Sequence, residues 1–162
     1  MPETLVAFLK QRSERSYRHL LALIKSIPSD AALRDRHAAW PTQQWGIGQD
    51  GSIAGIVFHV AAWKQLTLPL LQPGGKALSQ SELDRAVAPA PDDWPGIIAW
   101  YAQVGATWNE ALASLSEDAF DAPRRWGGAT LSLGKIVIEM YEHDVQHASQ
   151  IEYLCQRHLL AG

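Results

Sequence analysis

The chain has 162 residues, with 14 basic against 17 acidic side chains, six histidines and one cysteine. This length fits one domain over residues 1–162, and 47% hydrophobic with 19% charged residues excludes wholesale disorder and fibrous repeats. A net charge of −3 without a basic run excludes a broad phosphate-neutralising surface, so nucleic acid is not an expected partner.

Apolar residues recur at three- and four-residue spacing in four segments, and no long strand-like alternation competes with them, so the expected class is all-α. The first helix is predicted from about Glu3 to Ile27, with Leu5, Phe8, Leu9, Leu20, Leu21, Ile24 and Ile27 inward and Pro28 ending it. Residues 1–10 lack the basic start and long apolar run of a secretory signal. Lone Cys155 has no intramolecular disulfide partner, and a cytoplasmic location is the expectation.

A second helix begins near Asp50 or Ser52, either able to cap its N-terminus, and runs to about Leu68 before Pro69 and Pro73-Gly74-Gly75. The most apolar stretch, Ile53–Leu71, is broken by His59, Lys64 and Gln65 and fails as a membrane span, so no membrane partner is expected. A third helix follows Asp92 or Asp93, with Pro95 in its first turn. Its interior Gly105, costly in a helix by about 1 kcal/mol, is explicable by close approach of a neighbouring helix. The fourth and longest helix spans about Ser132–Leu159.

The connections 29–49 and 72–91 are long for a simple bundle, and Ser79–Val87 is a candidate short extra helix. Seven tryptophans, among them Trp40, Trp45 and Trp126 in the connections, predict loops that pack over the bundle. The segment Gly128–Lys135 has the wrong spacing for a phosphate-binding loop and reads as a loop entering the fourth helix.

His143 and His147 are four residues apart on the fourth helix, so their imidazoles project side by side within reach of one ion. Alone, such a pair is weak, but His59 sits mid-helix in the apolar run Ser52–Trp63, where an unpartnered imidazole is poorly solvated. Three histidines from two helices of a bundle make an open site, which leaves a coordination position for water or substrate. Zn, Ni and Fe(II) each suit such a donor set.

The run Phe58-His59-Val-Ala-Ala-Trp63, followed by Tyr141-Glu-His143-Asp-Val-Gln-His147-Ala-Ser-Gln150-Ile151 on the last helix, resembles the DinB-like superfamily of metalloenzymes. The resemblance covers nearly the whole chain. It implies a four-helix bundle, often a homodimer, with His59, His143 and His147 holding one divalent metal, Zn or Ni foremost. It also implies a small-molecule substrate and, as in characterised relatives, a low-molecular-weight thiol such as bacillithiol, mycothiol or glutathione as co-substrate for a transferase or isomerase. Asp144 and Gln150 match family positions beside the ligands, and metal-bound histidines need acceptors for their second ring N–H; Asp144 is the preferred candidate.

Glu139, one turn before His143, is open to three readings: a fourth ligand, a base, or a solvated carboxylate. Tyr141, Trp63 and Trp45 are candidates for a pocket wall or for core. His19, His37 and His158 have no helical partner that completes a second site.

Among other classes, a zinc peptidase would need Glu where Asp144 stands and a further ligand that the remaining chain does not supply. A di-iron bundle would need Glu-x-x-His, and no glutamate here has a histidine three residues later. A metal-dependent hydrolase and a non-catalytic, stress-related metal-binding or dimerisation module stay open as alternatives. An open cleft at the histidines would favour catalysis, and a closed four-ligand site a structural ion.

Overall fold

A computed structural model describes residues 4–34, 51–86, 91–126 and 128–160. Four long helices form the bundle: α1 (Leu5–Lys25), α3 (Ile53–Thr67), α5 (Trp94–Ser114) and α6 (Leu133–Leu160). Two short ones lie in the connections, α2 (Ser29–Ala32) and α4 (Gln80–Ala86), the latter at the expected extra helix. Local chemistry sets the helix starts. Thr4 accepts from the Ala7 amide, Ser52 from Gly55, Asp93 from Gly96 and Ser132 from Lys135, each satisfying an amide that the first turn leaves free.

Packing between neighbours defines the topology. Helix α1 lies against α5 and α6, and α3 lies against the same two, so α1 and α3 occupy opposite corners. Lys10 reaches the carbonyls of Ala113 and Leu115 while Tyr17 reaches Ala102, which makes α1 antiparallel to α5. Phe58 packs on Trp100 and the Lys64 ammonium lies over the Trp108 ring, so α3 runs parallel to α5. His59 faces His147 while Trp63 faces His143, so α3 is antiparallel to α6. The order is up, down, down, up. Parallel neighbours α3 and α5 need a connection that returns along the bundle, which accounts for the long segment between them.

The all-α expectation holds apart from one small departure. Pro123–Trp126 (β1) and Ala129–Ser132 (β2) pair antiparallel, with Arg124 opposite Leu131 and Trp126 opposite Ala129. The segment read as a plain loop therefore enters α6 as a strand. Gly128, at φ 85°, sits in the tight connection where a side chain would be strained.

Two apolar clusters fill the interior. One contains Leu20, Ile24, Val57, Trp94, Tyr101 and Ile151, and the other Leu9, Leu70, Trp108, Phe120, Ile136 and Met140. Buried polar residues occur on all four long helices, among them Ser13 on α1, Lys64 on α3, Asn109 on α5 and Asp144 on α6. The Ile53–Leu71 segment is apolar and long enough to cross a membrane by composition, yet 67% of it is buried inside the bundle, so it is a core helix. Close approach also explains Gly105. A methyl group there would overlap the Tyr17 ring of α1.

Candidate metal centre

Helix α3 contributes His59 and α6 contributes His143 and His147. The i, i+4 spacing puts the two α6 imidazoles on one face, 4.4 Å apart between ring centroids. The Nε2 atom of His143 lies 3.1 Å from that of His59 and 3.2 Å from that of His147, and all three ligand atoms fall within 4.8 Å of one another. Nitrogens bound to one tetrahedral zinc at its usual bond length are about 3.3 Å apart, so the spacing fits a shared ion.

The protonation states agree with that fit. Burial foremost, then the His147 and His59 rings and the Lys64 ammonium, push His143 down to about 2, so its ring is neutral with a lone pair available. Burial also lowers His147, against the opposing pull of Gln150 and Asp144. Gln150 Oε1 lies 2.7 Å from His147 Nδ1 and accepts a hydrogen bond from its N–H, which leaves Nε2 as the unprotonated nitrogen. His143 Nδ1 is buried and has no hydrogen-bond partner among the described residues.

The other predicted residues fall around the triad in different ways. Asp144 is fully buried, and its Oδ2 accepts from Lys64 Nζ at 2.7 Å. Burial pushes its carboxyl up while the Lys64 ammonium pulls it down, and Oδ1 has no partner among the described residues. The ring-acceptor contact that the structure records is thus made by Gln150, with Asp144 engaged one step deeper. Glu139 lies on the wall of the adjoining cavity, 3.6 Å from Lys135, and is not part of the histidine cluster.

A cavity of about 480 Å³ opens beside the three histidines. Its walls are Trp63, Trp126, Ile136, Met140, Glu139, Gln146 and Gln150. Trp63 was expected as a pocket candidate, whereas Tyr141 lines a separate groove between α1 and α6 with Arg12, His19 and Val145. Trp45, Trp40 and His37 lie outside the described residues. His19 pairs with Glu152 at 3.0 Å, and Cys155 packs against the first apolar cluster, away from the cavity wall.

Sequence reading missed Trp126, Gln146, Ile136 and Met140 as wall residues, and Lys64 as the partner of Asp144. The Gly127-Gly128 pair after Pro123-Arg-Arg-Trp126 was the available signal for a hairpin, and hence for Trp126 being carried to one side of the cavity.

Bundle topology, a three-imidazole cluster and an adjoining cavity together are compatible with a metal-binding helical protein. The DinB superfamily model matches residues 12–151, and the chain belongs to the DinB superfamily. A search of curated proteins finds no significant match.

Proposed function

We propose that this chain is a mononuclear metal-dependent enzyme that activates a small thiol co-substrate for transfer to, or isomerisation of, a small electrophile. The observation that carries this reading is the convergence of three Nε2 atoms beside a cavity of about 480 Å³, with no fourth carboxylate, cysteine or histidine in the cluster among the described residues. Such an arrangement is the open pattern of catalytic sites and not the closed pattern of structural ones.

His59, His143 and His147 would hold the ion, with zinc or nickel the preferred metals and iron the third choice. When bound there, a divalent ion supplies Lewis acidity that favours thiolate over thiol. Gln150 holds the His147 ring in the tautomer that offers Nε2. Glu139, on the cavity wall, is the proposed acceptor for the proton that the entering thiol gives up. Trp63 and Met140 keep water from one side of the reacting molecules.

Metal analysis of protein purified without an affinity tag tests the foundation. About one equivalent of zinc or nickel in the wild type, lost in His147→Ala, is expected. No stoichiometric metal in the wild type, or undiminished metal in the variant, would overturn the reading. Screening the loaded protein with low-molecular-weight thiols and electrophiles then separates the transferase from the hydrolase alternative, which would turn over without a thiol.

A further inference from the structure

The cavity has two unlike sides. Its polar groups Glu139, Gln146 and Gln150 all come from α6, whereas among the described residues Trp126 is the one wall residue that the hairpin supplies. Residues two apart on a strand face the same way, so Arg124 and Trp126 share a face of β1. Arg124 is buried, and its Nε donates to the Leu70 carbonyl at 2.8 Å while Nη1 donates to that of Pro123 at 3.0 Å. That anchor fixes the hairpin to the turn that ends α3 and delivers the indole of Trp126 to the cavity.

There it meets Trp63 edge-on, with ring centroids 5.5 Å apart. Trp63 in turn lies 5.8 Å from the His143 ring and 6.1 Å from the His59 ring. Ile136 and Met140 belong to the same apolar cluster and line the same cavity. Trp126 is only half-buried, so part of its ring is open to an occupant. Two indoles and two aliphatic side chains beside a metal-binding group form an apolar wall in which a planar body gains both burial and ring contact.

We propose that this wall is the specificity site of the enzyme, and that the substrate is a small molecule with a planar apolar body whose reacting head reaches the histidines. The proposal rests on the metal-site reading above and adds to it the class of molecule taken. Trp126 is the residue that selects for the planar body.

Two hydroxamates that share a metal-binding head and differ in their tail test it on the zinc-loaded protein. Acetohydroxamate carries a methyl group and benzohydroxamate a phenyl ring, and calorimetry gives the dissociation constant of each. The wild type should bind benzohydroxamate at least roughly tenfold more tightly, the gain expected from burying an aromatic ring. In Trp126→Ala the preference should fall to about twofold, with acetohydroxamate affinity and zinc content unchanged. Trp126→Leu, which retains apolar bulk on the hairpin should the alanine variant unfold, should fall to between the two.

A wild-type preference below about twofold, or an undiminished preference in both variants, would overturn the aromatic wall while leaving the metal site standing. Failure of the wild type to hold zinc, or to bind either hydroxamate when loaded, would overturn the metal-site reading and this proposal together.

Discussion

The bundle has two polar seams, built to different standards. Between α1 and α5, Ser13 donates to Asn109 Oδ1 at 3.0 Å, Asn109 donates to the Gly105 carbonyl at 2.9 Å, and Tyr17 donates to the Ala102 carbonyl at 3.0 Å. Between α3 and α6, three imidazoles crowd together. Asp144 Oδ1, His143 Nδ1 and Trp63 Nε1 here are buried without hydrogen-bond partners among the described residues, as against Tyr101 Oη alone beside Tyr17 on the other seam. Leaving buried polar atoms unsatisfied costs stability, so a structure keeps such groups where something other than folding requires them. The α1–α5 seam serves the fold, and the α3–α6 seam holds the candidate metal site.

The buried ion pair offers the sharpest way to break this contrast. Lys64 and Asp144 are each 1% exposed in their side chains, so Lys64→Met leaves a carboxylate in the core without its cation. A loss of about 3–5 kcal/mol in urea unfolding is expected, whereas Lys64→Met with Asp144→Leu should return to within about 1 kcal/mol of the wild type or exceed it. If the double variant stays as unstable as the single one, the pair is a net stabiliser, and the α3–α6 seam serves folding as much as the other does.

A smaller effect sharpens the same comparison from the metal side. Gln150→Leu removes the acceptor for His147 Nδ1–H and frees the ring to turn or change tautomer. Zinc affinity should fall about 10–100-fold in a competitive chelator titration while the unfolding midpoint of the metal-free protein shifts little. Unchanged affinity would mean that packing alone orients His147.

How much of this was legible in the sequence varied with the distance over which each feature is encoded. The i, i+4 spacing of His143 and His147 is local and could be read directly, and the caps at Ser52 and Asp93 are local too, each narrowed to two candidates, with Asp50 and Asp92 the others. His59 stood out because an imidazole inside a run of apolar residues demands a partner, and the other two histidines lie beside it. The Lys64–Asp144 pair joins residues 80 apart in sequence. A lysine within an apolar helix reads first as the solvated position of an amphipathic face, and only the tertiary packing turns it inward. The hairpin strands, four residues each, are too short for alternation to register, and Trp126 as a wall residue went unseen with them.

The smallest expected effect falls on the α1–α5 seam. Ser13 is buried, and its hydroxyl donates to Asn109 Oδ1, while the Asn109 amide remains bound to the Gly105 carbonyl in a Ser13 variant. Ser13→Ala therefore removes one neutral hydrogen bond and creates little empty volume, and a loss of about 1 kcal/mol in unfolding free energy is expected. Helix α1 contributes no residue to the histidine cavity, so zinc affinity should stay at the wild-type value. Together with Gln150→Leu this makes a crossed pair: one change that lowers stability and spares the metal, and one that spares stability and lowers metal affinity. A Ser13→Ala variant with weakened zinc binding would show that the two seams are coupled, and the division of labour between them would fall.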